Sequence, residues 1–330
     1  MASRAPSVPP VLPGFAYKYP LGVGGFADVF LYEQDRPHRD VAVKVLLQSL
    51  VDPDVLRRFN AEADAMAALG AHPSVVSVHA AGISADGRPY LVMEHCPGPL
   101  IRRDGRGVSD PLPVDRVLAI GVRMASALET AHRAGVLHRD VKPSNILVSV
   151  YGTPALSDFG IAASLTGTGE PIWAMSVPWT APEVLAEKTS GTVASEVWAL
   201  AATLYTLLAG HAPFETGDPA TDTRDKQRAR IIRGRALALP PGVPGPAAGV
   251  VESALQRNPP DRPTSMLAFA RELQAAQQVL GLAVTALELP REIWGPEVDP
   301  AAFADDELRG AVIAAVPVES RRRRRWFGKA

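Results

Sequence analysis

The stretch over residues 136–160 constrains this chain more than any other. It reads His138-Arg139-Asp140-Val141-Lys142-Pro143-Ser144-Asn145, then the apolar run Ile146-Leu147-Val148, then Ala155-Leu156-Ser157-Asp158-Phe159-Gly160. Val136-Leu137, Ile146-Leu147-Val148 and Ala155-Leu156 are each of strand length and are separated by Gly, Pro and Ser. The pattern predicts short strands whose connecting turns hold Asp140, Lys142, Asn145 and Asp158 at one edge of a scaffold. Two carboxylates, an amide and an ammonium suit work on a phosphate. One carboxylate can orient a hydroxyl, the other carboxylate and the amide can hold Mg²⁺ through oxygen, and the ammonium can offset phosphate charge.

Upstream, strands are expected over 19–22, 28–32 and 41–46. The first two are joined by Leu21-Gly22-Val23-Gly24-Gly25-Phe26-Ala27-Asp28-Val29. Glycines let such a turn lie close over phosphates with its N–H groups exposed to them, although an ordinary hairpin uses the same chemistry. Val41-Ala42-Val43-Lys44 forms the next strand. Asp52-Pro53 then opens a helix whose apolar stripe is Val55, Phe59, Met66 and Leu69, with Glu62 inside it. A carboxylate on a core-facing stripe needs a partner, and Lys44 is the candidate; at the stripe's edge it would face solvent instead. Further strands are expected over 74–82 and 90–93, with Asp86-Gly87 turning between them. Glu94-His95-Cys96-Pro97-Gly98-Pro99 is a linker. A long helix over 114–134 buries Val117, Ile120, Met124, Leu128 and Ala131 and stops at Gly135.

The order His-Arg-Asp-x-Lys-x-x-Asn followed by Asp-Phe-Gly, with the glycine-rich turn and Val-Ala-Val-Lys ahead of it, resembles the core of eukaryotic-type protein kinases of the bacterial Ser/Thr branch, actinobacterial in character. The resemblance covers about 12–280. It implies an α+β, two-lobed fold: a small β-rich lobe over 14–93, a hinge over 94–99 and a larger, mainly helical lobe over 100–280. It implies ATP with Mg²⁺ (Mn²⁺ as an alternative) and transfer of the γ-phosphoryl group to protein Ser or Thr hydroxyls, with autophosphorylation. The runner-up is a pseudokinase scaffold that binds ATP or partners without turnover.

The same resemblance assigns roles. Asp140 is the base that orients the hydroxyl, Lys142 offsets γ-phosphate charge, and Asn145 and Asp158 hold the metal. Lys44, held by Glu62, binds the α- and β-phosphates beneath the Gly22-to-Val29 turn. Val29, Ala42 and Leu147 sandwich the adenine, with Met93 beside it and the backbone of Glu94 and Cys96 facing it. The candidates for regulation are Arg139, Thr166, Thr168 and Ser176: phosphate on the threonines could pair with Arg139, and Ser176 bonds towards Asp140 and Lys142. Arg262 is similar to the arginine that pairs with the Glu of Ala181-Pro182-Glu183. Four departures stand out: Ala27 at the third glycine position, Met175 and Trp179 in place of Gly and Tyr, and Glu196 where an Asp is usual.

Composition bounds the rest. The chain has 330 residues, 47% hydrophobic and 21% charged, with a net charge of −1, which gives no global electrostatic case for nucleic acid. Cys96 is the only cysteine, so no disulfide closes within the chain. No leader or membrane-span pattern is visible, and a cytoplasmic setting is expected. Residues 1–13 are Pro- and Ser-rich and read as disordered. Residues 281–330 read as a separate charged tail ending in Arg321-Arg322-Arg323-Arg324-Arg325-Trp326-Phe327. That tail is either a solvated charge run or a contact with an anionic membrane at the inner face, as a juxtamembrane segment would be. Protein substrates, phosphopeptide-binding partner domains and a dimer are the partners expected.

Overall fold

The computed structural model describes residues 4–47, 53–101, 110–159, 176–218, 220–234, 237 and 239–290. Thr166, Thr168, Met175 and arginines 321–325 lie outside the described residues, as do the side chains of Val55 and Glu62.

The first third of the chain builds five antiparallel strands: β1 Phe15–Val23, β2 Ala27–Gln34, β3 Arg39–Leu46, β4 Val78–Ile83 and β5 Pro89–Glu94, in the order β1-β2-β3-β5-β4. Helix α1, Pro53–Leu69, interrupts them and buries Phe59, Ala63, Met66 and Leu69 on one face. Strand alternation sorts side chains to the two faces of the sheet. Ala42 and Leu46 join the interior that α1 covers, while Val41, Val43 and Val45 join Phe30, Tyr32 and Leu12 in a separate outer cluster. Lys44 falls between Ala42 and Leu46 and so faces inward with them.

Residues 4–13 cover that outer face, in place of the disorder that their composition suggested. Leu12 is buried, and the buried Tyr32 hydroxyl donates to the Pro10 carbonyl at 2.6 Å. Burial pushes the Tyr32 phenol up to about 12. A local composition rich in Pro and Ser forgoes secondary structure but does not prevent an extended segment from being pinned by side chains of a neighbouring sheet.

Two other expectations shift. β4 begins at Val78 rather than at Ser74, because the backbone of 74–76 bonds elsewhere: Val76 donates to the Leu156 carbonyl at 3.0 Å and Leu156 to the Ser74 carbonyl at 2.9 Å. Val136-Leu137 is not a strand; Val136 closes α2, Val114–Arg133, by donating to Ala131 at 2.9 Å. The other short runs do pair. β6 Gly98–Pro99, β7 Ile146–Val148 and β8 Pro154–Leu156 form a three-stranded sheet, and a 3-10 turn at Pro143–Asn145 leads into it.

The remainder is helical: α3 Pro182–Leu185, α4 Val193–Ala209, α5 Arg224–Arg233, α6 Gly245–Ala254 and α7 Met266–Val279. α4 is apolar on nearly all sides and is buried. It is capped by Thr192 and Ser195 and ended by Gly210 at φ 80°. Among the described residues no helix is long and apolar enough to cross a membrane.

Candidate active site

The turn between β1 and β2, β3, and the segment from His138 to Asp158 enclose one cavity of about 460 Å³. Gly22, Val23, Gly24, Gly25, Phe26, Ala27 and Val29 line it from above. Lys44, Asp140, Lys142, Asn145 and Asp158 line it from the side and below. The amide of Gly24 donates to the Ala27 carbonyl at 2.9 Å, and a Cβ at Gly24 would stand 2.8 Å from that oxygen, so the turn requires glycine there. Ala27 is not among the residues at positive φ, so its methyl group introduces no backbone strain.

Asp28 is the residue of this turn whose side chain goes elsewhere. The even positions of β2 face outward, and its carboxylate is fully buried there. Arg4 forks it at 2.6 and 3.1 Å, Ser7 N–H donates at 2.7 Å, and Arg4 also reaches the Gly24 carbonyl at 2.9 Å. Burial would raise this carboxyl, but the bonds from Arg4 and Ser7 outweigh it and hold the group below the ordinary range.

At the base of the cavity, Lys44 Nζ meets Asp158 Oδ1 at 2.5 Å. Asp158 sits at φ 61°, a left-handed conformation that turns its carboxylate into the cleft. Burial pushes its pKa up, but Lys44 and the Ser157 hydroxyl more than compensate and leave it lowered. His138 organises the loop behind. Its Nδ1 accepts from Asp140 N–H at 3.2 Å, its Nε2 donates to the Ser157 carbonyl at 2.9 Å, and its ring lies 4.6 Å from that of Phe159. The buried imidazole thus ties the turn carrying Asp140 to the turn carrying Asp158.

Asp140 Oδ2 is held by Lys142 Nζ at 2.5 Å and by Asn145 Nδ2 at 3.1 Å; Asn145 also donates to the Asp140 carbonyl at 2.8 Å. Lys142 reaches Ser176 Oγ at 2.8 Å. With the Asn145 nitrogen spent on Asp140, its oxygen is the atom left for a cation. That oxygen and the Asp158 carboxylate are hard donors, as Mg²⁺ prefers.

Arg139 is at φ 66°, and its amide donates to Glu196 Oε1 at 2.5 Å. The second oxygen of Glu196 meets His132 Nε2 at 2.6 Å. The longer Glu thus spans two partners, and His132 at the end of α2 is a site residue that the sequence reading missed. Its spacing of four from Leu128 on a buried face was the available signal. Among the described residues no acid stands against the Arg139 guanidinium. Trp179 Nε1 donates to Thr206 Oγ1 at 3.0 Å, which fixes the departure from Tyr to the core helix α4.

The adenine-side residues are less completely gathered. Ala42 and Met93 are register partners across β3 and β5, and Val29, Cys96 and Leu147 join their apolar cluster. The lining of the cavity does not include Leu21, Ala42, Met93, Glu94, Cys96 or Leu147. Glu94 N–H is taken by the Ser77 carbonyl at 2.9 Å. Cys96 is buried; that burial, with a smaller push from Glu94, raises its thiol to about 12.

Glu183 and Arg262 form the ion pair that the resemblance implied, two-pronged at 2.7 and 2.9 Å.

A five-stranded sheet lobe above a helical lobe, with a lysine and two acids converging under a glycine-rich turn, defines the two-lobed protein kinase fold. The chain belongs to the protein kinase domain family, whose profile matches residues 15–277. It is 41% identical over 326 residues to the serine/threonine-protein kinase PknK of Mycobacterium bovis and, equally, to that of Mycobacterium tuberculosis; each alignment takes in 94% of this chain and 28% of the relative. It is 35% identical over 254 residues to the serine/threonine-protein kinase PknB of Mycobacterium leprae, covering 73% of this chain and 39% of that protein. The chain therefore spans little more than a quarter of the length of the PknK relatives.

Proposed function

We propose that this protein transfers the γ-phosphoryl group of ATP to Ser or Thr hydroxyls of protein substrates. The observation that carries the reading is the shared cavity: Lys44, Asp140, Lys142, Asn145 and Asp158, up to 114 residues apart in sequence, line one space beneath the Gly22-to-Ala27 turn. Lys44 and Asp158 neutralise each other at 2.5 Å, and an arriving nucleotide gives each a better partner, phosphate oxygens for the lysine and a cation for the acid. Asn145 and Asp158 are the residues that would hold Mg²⁺, which would supply positive charge to offset that of the phosphates.

Asp140 is the base. Lys142 and Asn145 occupy Oδ2, so Oδ1 is the oxygen open to an incoming hydroxyl; it orients that hydroxyl and takes up its proton as the phosphoryl group moves. Lys142, between Asp140 and Ser176, is placed to follow charge on the transferring group. Most of the rate enhancement comes from positioning and fixed charge.

The test is Asp140→Asn with γ-labelled ATP and a Ser/Thr protein acceptor. Wild type transfers label. The variant binds nucleotide with unchanged affinity and transfers none, because the amide cannot accept the proton. Equal transfer by the variant removes Asp140 from this role. No transfer by wild type, with nucleotide still bound, leaves the scaffold reading.

A further inference from the structure

Residues 281–290 lie beyond the part of the chain that the family profile matches, yet they are built into the lobe rather than forming the start of a free tail. Leu282 N–H donates to the Gln277 carbonyl at 2.8 Å. The buried Gln277 side chain exchanges two hydrogen bonds with Thr285, each at 2.9 Å, and Gln274 reaches the Thr285 carbonyl at 2.7 Å. Leu282 and Leu287 lie against the core.

The segment ends on Glu288, where two parts of the molecule meet. On the large-lobe side, Arg123 pairs with Glu288 Oε1, and Glu288 N–H donates to Ser126 Oγ at 3.3 Å; both partners are on α2. On the small-lobe side, Ser74 Oγ donates to Glu288 Oε2 at 2.8 Å, and His72 Nε2 donates to the Glu288 carbonyl at 2.6 Å. His72 Nδ1 accepts from Ser74 N–H at 3.0 Å, which fixes the neutral tautomer. His72 and Ser74 lie in the connection between α1 and β4, and both are buried.

That connection leads to the site. The Ser74 carbonyl takes the Leu156 N–H, the Leu156 carbonyl takes the Val76 N–H, and Leu156 is the last residue of β8, two before Asp158. The same connection begins where α1 ends. A carboxylate that holds Ser74 therefore bears on the strand that delivers Asp158 to Lys44.

We propose that residues 281–290 are a strap belonging to the catalytic unit, and that Glu288 is a positioning residue acting through Ser74 and Leu156 on Asp158. The proposal deepens the kinase reading and rests on it for what Asp158 does, but the strap's own linkage is measurable without turnover.

The test uses the full chain with Glu288→Ala, Ser74→Ala and the double variant. Hydrogen exchange at the Leu156 amide, measured without nucleotide, should speed up about 10-fold in each single variant, the loss expected when one charge-assisted bond holding its acceptor is removed. Affinity for a fluorescent ATP analogue with Mg²⁺ should fall by a similar factor, roughly 10-fold, and KM for ATP should rise with it. The kcat at saturating ATP should stay within about twofold, because Asp140 is untouched. The double variant should be no worse than the singles, since both break one linkage. Glu288→Gln, which keeps an acceptor for Ser74, should recover part of the affinity. If Glu288→Ala unfolds, Ser74→Ala carries the test by itself. The proposal is overturned if Leu156 protection and nucleotide affinity match wild type while only thermal stability falls, or if the two single effects add. Wild type that binds nucleotide without transferring phosphate would defeat the kinase reading alone; the exchange and affinity results would still decide the strap.

Discussion

Arg262 offers the sharpest test of what holds the helical lobe beneath the cleft. Its side chain is wholly buried, and its Glu183 partner is only 10% exposed. The guanidinium forks Glu183 and also donates to three carbonyls: Gln256 at 2.7 Å, Ala194 at 2.9 Å and Arg257 at 3.0 Å. It also lies 5.0 Å from the centre of the Trp198 ring. All of its donor directions are thus used, against partners from three separate segments. Arg262→Ala would strand a shielded carboxylate and those carbonyls together. Breaking a buried pair by removing one partner costs about 3–5 kcal/mol. Against a total stability on the order of 5–15 kcal/mol, that is roughly a fifth or more. In a domain of this size it corresponds to a fall in Tm of roughly 10 °C. Arg262→Lys keeps the charge but cannot fork, so it should fall between alanine and wild type. Urea unfolding followed by tryptophan fluorescence, with Trp198 against the pair, measures all three. An alanine variant within about 1 kcal/mol of wild type, or a lysine variant equal to wild type, would refute the reasoning, because the pair would then be no better than an exposed one.

Glu196→Asp shortens the bridge between His132 and Arg139 by one methylene. A carboxylate that no longer spans both should lower kcat roughly 10-fold or more by loosening the loop before Asp140, with KM for ATP little changed; steady-state kinetics separates the two. Cys96, whose thiol is pushed up to about 12, stays protonated and unreactive at neutral pH. Native protein should therefore resist iodoacetamide near pH 8, about the ordinary thiol pKa, and react once denatured; intact mass reads the difference, and rapid native labelling would contradict the burial.

Much of the site was legible before any coordinates. His138, Asp140, Lys142, Asn145, Asp158 and Lys44 carry motifs whose spacing reflects short strands and tight turns, and local spacing is what a sequence displays directly. The stripe on α1 and the buried face of α2 were legible for the same reason: helical periodicity is a local property, and Phe59, Met66, Val117 and Leu128 follow it.

What the sequence could not show is where an unpaired polar group finds its partner. The sequence reading kept Asp28 with the turn over the phosphates, and only the assembled sheet shows it on the outer face, held by Arg4 and Ser7. A Pro-rich beginning and a chain ending beyond α7 both read as loose because neither has periodicity. Each is held in part by residues far off in sequence, Arg4 by Asp28 and Glu288 by His72, and such contacts leave no local pattern. The sequence by itself determined which groups can handle phosphate and which faces must be buried, since both follow from side-chain chemistry and short-range spacing. The tertiary structure alone decided that Glu196 reaches His132, that Arg4 closes on Asp28 and that Glu288 joins α2 to the segment below α1, because burial obliges each polar group to take a partner and only the fold determines which one is near.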